Sequence, residues 1–160
     1  MTIKRIVGDI LQLADNGEFD VIIQGCNCMN NFGKGLALAI KNNYPDAYVA
    51  DCTTVKGDVN KLGTITYANV GKFIVVNAYT QYDYVGPMPR SSVDAIQSCM
   101  QQVKQTFTGL RIAYPRVGCG LAGGDWQVVY PIILNELEGE DQTFVDYDEV
   151  TQYSTKKKLK

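Results

Sequence analysis

The stretch 116–126, RVGCGLAGGDW, places four glycines in eleven residues, between the apolar runs GLRIAYP (109–115) and QVVYPIIL (127–134). Backbone that bare is needed where the chain must adopt positive φ, or where something must approach the main chain closely. A second stretch of the same design, CNCMNNFGKGLA (26–37), follows the apolar run FDVIIQG (19–25) and leads into a helical pattern. Both read as turns from a strand into a helix. In an open α/β sheet such turns gather over the carboxyl ends of the strands, and the helix N-termini there offer unpaired N–H groups and a partial positive charge. That is a setting for a phosphate group.

Outward from these turns, hydrophobic period supplies the rest of the chain. TIKRIVG (2–8) alternates like an edge or second strand, and FDVIIQGC (19–26) reads as a buried strand. GLALAIKNNYP (35–45) carries Leu36, Ala37, Ile40 and Tyr44 at helical spacing and stops at Pro45, with a short helix expected in PDAYVADCTTV (45–55). GTITYAN (63–69) and GKFIVVNAY (71–79) predict paired strands around an Asn-Val-Gly turn. Val93, Ile96, Met100, Val103 and Phe107 predict a helix over 91–107 capped by Ser91 or Ser92. A strand over 109–117, a helix over 125–139 and a last strand over 142–148 complete the alternation; Pro131 fits that helix only if it falls in the first turns. The expectation is an α/β fold with a mostly parallel sheet and helices on both faces.

Composition narrows the chemistry. The 160 residues are 46% hydrophobic, enough for one domain, expected over 1–150, with TQYSTKKKLK (151–160) as a basic, frayed tail. A net charge of −2 provides no overall basic field for nucleic acid or membrane, so an anionic ligand must be held locally. MTIKRIVGDI has too short an apolar stretch for a signal peptide and no segment is long enough to span a bilayer, so a cytoplasmic location is expected. Five cysteines in no repeating frame suit a reducing compartment. Cys26 and Cys28 form an isolated C-x-C in a chain without histidine, so they are read as small buried hydrophobes, with no metal site expected. The absence of histidine also removes Ser-His-Asp and Cys-His catalysis.

Gly118, Gly120 and Gly123 match G-x-G-x-x-G, with Asp146 or Asp148 as the acid about twenty residues on. That fingerprint normally opens a dinucleotide fold, and too little chain follows here to build the remaining strands. Neither turn gives G-x-x-x-x-G-K-[ST], which excludes a phosphate-loop NTPase.

Three stretches together, VGDI (7–10), CNCMNNFGKGLALAI (26–40) and PRVGCGLAGGDW (115–126), resemble a macrodomain, the ADP-ribose-binding module. The likeness covers about residues 3–148 and is to the viral, bacterial and fungal branch assigned to ADP-ribose 1''-phosphate processing. It implies a three-layer α/β/α fold with a mixed, mostly parallel central sheet, and ADP-ribose or ADP-ribose 1''-phosphate as the partner, with no cofactor. It also implies roles: Asp9 accepts from the adenine amino group with the Ile10 backbone beside it, and Asn27 lies near the distal ribose. Gly33, Lys34 and Gly35 form the loop along the distal ribose and phosphate. Val117, Gly118, Cys119, Gly120, Leu121 and Ala122 form the loop whose N–H groups wrap the diphosphate, and Tyr147 sits against the adenine. Each has a plain alternative: Asp9 caps a turn, Asn27 ties loops together, Tyr147 fills core. A diphosphate held by backbone N–H groups needs no cluster of arginines and lysines, which agrees with the low net charge.

Turnover asks for more than binding. Relatives that remove ADP-ribose from glutamate use a lysine after the central hairpin and an aspartate in the second glycine loop. Here that loop position is Ala122, and no lysine occurs between Phe73 and Val103. Removal of the 1''-phosphate is the expected reaction, with Asn27 orienting water or ribose hydroxyls and Asp125 as the available carboxylate, although capping the next helix competes for Asp125. Gln81 and Tyr79 are expected in the distal-ribose pocket or in the core. Cys119 lacks the arginine six residues on that a thiol-phosphate cradle requires, Asp125 standing there instead. A hydrolase acting on ADP-ribosylated protein or nucleic acid, and a non-catalytic reader of ADP-ribose, remain as alternatives.

Overall fold

The computed structural model describes residues 3–147. Both the 151–160 tail and Asp148 lie outside them. Six strands form one sheet in the order β1-β6-β5-β2-β4-β3: β1 Ile3–Val7, β2 Val21–Cys26, β3 Ile65–Asn69, β4 Ile74–Tyr79, β5 Arg111–Tyr114 and β6 Asp141–Asp146. All neighbours are parallel except the β3–β4 hairpin, so the sheet is mixed and mostly parallel. Among the described residues β1 is an edge strand, paired with β6.

Alternation along β2 shows why helices cover both faces. Ile22 joins a core with Ile10, Leu11 and Ala14 of α1 (Ile10–Asp15), Ala39 and Ile40 of α2 (Gly35–Asn43), and Ala47 of α3 (Asp46–Cys52). Val21 and Ile23 point the other way, into a core with Ile96, Met100 and Val103 of α4 (Val93–Phe107) and Val129 and Ile133 of α5 (Trp126–Glu136). A strand buried on both faces must be apolar at consecutive positions, which is how VII reads. The result is a three-layer α/β/α fold.

Element ends follow their capping chemistry. Ser92, not Ser91, caps α4, accepting from the N–H of Ala95 at 3.1 Å. Asp125 caps α5 through the N–H of Gln127 at 2.9 Å. Pro131 lies inside α5, the sixth residue from Trp126, and costs one i→i−4 bond. The helix continues past it because Val129 and Ile133 are buried on its sheet-facing side. α1 was not foreseen: six residues give too little period to register, and its start is set by Asp9, whose Oδ1 accepts from the N–H groups of Leu11 and Gln12.

Candidate functional site

The carboxyl ends of β6, β5, β2 and β4 open onto a cleft of about 850 Å³. Two loops wall it: residues 27–34, between β2 and α2, and residues 115–125, between β5 and α5. Of the residues expected in the site, Asn27, Gly33, Lys34, Gly35, Gln81, Val117, Gly118, Gly120, Leu121, Ala122 and Tyr147 line this cleft. Asp9, Ile10, Cys119 and Asp125 do not.

The first loop is folded by its own side chains. Asn27 donates from Nδ2 to the Asn31 carbonyl at 2.9 Å, and its Oδ1 accepts from Met29 N–H at 2.9 Å. Asn30 adopts φ 54°, and its Oδ1 accepts from Nζ of Lys61 at 2.7 Å. Lys61, 6% exposed, also reaches the Cys28 carbonyl at 3.1 Å and lies over the ring of Tyr79 at 5.0 Å. The hydroxyl of Tyr79 donates to the fully buried Asp51 at 2.7 Å. Tyr79 therefore belongs to the core beneath the loop. Cys26 and Cys28 are buried free thiols, both held protonated mainly by burial.

The loop ends at Gly35, φ +57°, where α2 begins with no side-chain cap. Among the described residues the first amides of α2, those of Gly35, Leu36 and Ala37, have no acceptor. This is the helix-terminus donor array expected to attract an anion.

In the second loop Gly118 and Gly124 are forced by contact. Gly118 has φ +73°, and a Cβ there would meet Cδ1 of Ile96 at 2.9 Å; one on Gly124 would meet the Gly118 carbonyl at 2.5 Å. The loop's carbonyls turn into the protein. That of Gly118 accepts from Ser91 Oγ at 2.8 Å and Gly124 N–H at 2.9 Å, and that of Ala122 accepts from Arg90 N–H at 2.7 Å. With the carbonyls so engaged, the N–H groups of Gly118, Gly120, Leu121 and Ala122 have no acceptor among the described residues. A Cβ placed on Gly35 would lie 3.9 Å from Cδ1 of Leu121, so the two loops meet across the cleft.

The remaining expected residues are placed as follows. Asp9 caps α1 beyond the end of β1; burial raises its carboxyl above the ordinary range against the pull of two backbone donors. Ile10 is fully buried. Asp125 faces a separate hollow of about 190 Å³ beside Ser91 and Val128, where it caps α5. Burial and the neighbouring Asp125 charge push the Cys119 thiol up to about 11, so it is not a thiolate at neutral pH. Asp146, weighed as the acid following the G-x-G-x-x-G match, is taken: Arg116 donates to it from Nε at 3.0 Å and Nη2 at 3.1 Å, and Arg5 donates as well. The Arg116 guanidinium, then Arg5, hold that carboxyl below the usual carboxylate range.

Sequence reading missed Asn31, Phe32, Tyr84, Val85, Arg90 and Arg116 as cleft residues. Arg116 stood inside the stretch already singled out, but Arg90 and Tyr84 lie in 81–92, which returns to the site only because Gln81 pairs with Ser91 and Ser92 N–H donates to the Thr80 carbonyl. No local pattern signals that. Among the described residues no group of His, Cys, Asp or Glu side chains is placed to hold a metal, and no helix is long and apolar enough to cross a membrane.

Comparisons with known proteins agree with this architecture. An uncharacterized 17.5 kDa protein from the tk-vs intergenic region of Enterobacteria phage T4 is 32% identical over 157 residues, 92% of this chain and 98% of that protein. A DNA ADP-ribosyl glycohydrolase of Mycobacterium tuberculosis is 25% identical over 135 residues, 82% of this chain but 37% of that protein. An ADP-ribose 1''-phosphate phosphatase of Aspergillus oryzae is 40% identical over 47 residues, 29% of this chain and 22% of that protein. In fold, the macrodomain of Mycobacterium tuberculosis DarG matches with a TM-score of 0.73 at 22% identity, over 91% of this chain and 97% of that one. The family model described as Macro domain matches residues 23–133, which take in both glycine loops and the sheet between them, and the chain belongs to the macrodomain family.

Proposed function

We propose that the chain binds ADP-ribose between its two glycine loops and hydrolyses ADP-ribose 1''-phosphate to ADP-ribose and inorganic phosphate. The observation that carries this reading is the pair of amide arrays without acceptors among the described residues, Gly35–Ala37 on one wall of the cleft and Gly118, Gly120, Leu121 and Ala122 on the other. Such donors suit a diphosphate and cost no reorganisation when it arrives. Tyr147, at the β6 side, takes the adenine; Asp9 accepts from its amino group as the ligand settles, with the Ile10 N–H alongside. Asn27, Lys34 and Gln81 serve the distal ribose at the β4 side.

In the reaction a water oxygen attacks phosphorus, the bond from phosphorus to the ribose 1'' oxygen breaks, and the water's proton leaves to solvent or to the departing oxygen. No Asp or Glu side chain lines the cleft among the described residues, so the rate comes from positioning and charge stabilisation rather than a carboxylate base. Asn27, with one amide hydrogen outside the loop's own bonding, holds the water or ribose hydroxyls. Asp125 serves the site by anchoring α5 behind the second loop. The short match to the Aspergillus phosphatase supports the choice of substrate.

The longer match to the DNA ADP-ribosyl glycohydrolase favours a second reading, release of ADP-ribose from modified nucleic acid. Ala122 and the lack of a lysine between Phe73 and Val103 stand against the glutamate-directed form of that chemistry. Incubating the pure protein with ADP-ribose 1''-phosphate and, separately, with ADP-ribosylated DNA separates the two. Phosphate release with retained DNA label is expected; the converse establishes the second reading, and neither leaves a binding module.

A further inference from the structure

Among the described residues three cations line the cleft: Lys34, Arg90 and Arg116. Arg116 is neutralised by Asp146. Arg90 is not. Its Nη1 donates to the Gly86 carbonyl at 2.8 Å and its Nη2 to the Leu121 carbonyl at 3.0 Å, both neutral acceptors. Its Nε–H is buried with no acceptor, and it makes no ion pair with any described residue. A half-buried guanidinium satisfied only by carbonyls, with one donor idle, is an incomplete anion site, since charge taken from water calls for an opposite charge or further hydrogen bonds.

Its position says which anion. Arg90 reaches Leu121 from the 81–92 segment, which follows β4, and β4 lies on the far side of β5 and β2 from β6 and Tyr147. Gln81, Tyr84 and Val85 line the same end of the cleft. With adenine at Tyr147 and the diphosphate on the amides of 118–122, the group that arrives at Arg90 is whatever the distal ribose carries.

We propose that Arg90 forms a second anion subsite, for a phosphate monoester on the distal ribose, and thereby makes the cleft prefer ADP-ribose 1''-phosphate to ADP-ribose. This rests on the reading of the cleft given above. Arginine suits the task because its planar fork can keep Nη2 on the Leu121 carbonyl while Nη1 exchanges the exposed Gly86 carbonyl for phosphate oxygens.

The test is calorimetric titration of the full chain with ADP-ribose and with its non-hydrolysable 1''-methylenephosphonate analogue. The native protein is expected to bind the phosphonate at least tenfold more tightly. Arg90→Gln, which keeps a donor for the Leu121 carbonyl but loses the charge, should narrow that ratio to below threefold, and Arg90→Lys should restore part of it. Equal loss for both ligands in Arg90→Gln would reduce Arg90 to a clamp on the second loop and overturn the proposal. A native protein that binds ADP-ribose but shows no preference overturns it as well, leaving the cleft reading intact. If the native protein binds neither ligand, the cleft reading falls and the proposal with it.

Discussion

The side chain of Asn27 closes a ring with Asn31, donating to its carbonyl at 2.9 Å while its own oxygen accepts from Met29 N–H at 2.9 Å. The residue assigned to the distal ribose therefore also shapes the loop that presents Gly33–Gly35. Asn27→Ala should lower phosphate release from ADP-ribose 1''-phosphate by tenfold or more and weaken ADP-ribose binding by about tenfold, roughly the worth of one or two lost hydrogen bonds. Steady-state rates with calorimetry check this; a variant with native rate and affinity would remove Asn27 from both roles.

Gly118→Ala tests whether the second loop is as constrained as its contacts indicate. Its φ of +73° strains any side chain, and the new Cβ would sit 2.9 Å from Ile96 and 3.1 Å from Ser91. A loss of about 2 kcal/mol or more in urea unfolding is expected, with loss of nucleotide binding as the amides shift. Gly120→Ala, where nothing lies within 4 Å of the added carbon and φ is ordinary, should cost far less stability. Equal destabilisation of the two would contradict the geometry.

Lys61 bonds the Cys28 carbonyl and Asn30 Oδ1 beneath the first loop; burial raises the nearby Asp51 carboxyl above its ordinary range, against the Tyr79 hydroxyl and the Lys61 charge. Lys61→Met removes the cation and its bond to Asn30 Oδ1, while the Cys28 carbonyl keeps the Gly57 N–H at 2.8 Å. Leaving a buried polar group unpaired costs about 1–3 kcal/mol, so a clear fall in the unfolding midpoint is expected. A near-native midpoint would show the network to be dispensable.

Asp146 gives a pH signature. Its folded carboxyl is held below the ordinary value by Arg116 and then Arg5, so it stabilises the fold above the unfolded pKa of about 4 and loses that contribution as pH falls through the lower folded value. Asp146→Asn should therefore be less stable than native at pH 7, with the gap closing in acid. Denaturant titrations at several pH values measure it, and a gap independent of pH would count against the Arg116–Asp146 pair as its source.

The parts of the site legible in sequence are those where physics restricts residue type. Gly118 and Gly123 must be glycine because of positive φ and close neighbours, and Gly35 because it opens α2 at φ +57°, so both loops announced themselves. Apolar pairs such as Ile22 and Ile23 marked a strand buried on both faces. What stayed hidden depends on tertiary return of the chain. Arg90 reaches Leu121 across 31 positions, and Lys61 meets Cys28 across 33, distances over which no spacing rule operates. Asp125 shows the converse: local sequence offered both base and helix cap, and the structure uses its carboxylate on Gln127 N–H.

The most direct test of two amide-lined walls closing on one diphosphate is calorimetric titration with ADP-ribose, ADP and adenosine under one set of conditions. One site per chain is predicted, with ADP-ribose and ADP each bound at least a hundredfold more tightly than adenosine, about 2.7 kcal/mol from the diphosphate. Equal affinity for adenosine and ADP-ribose, or no heat with either, would contradict it.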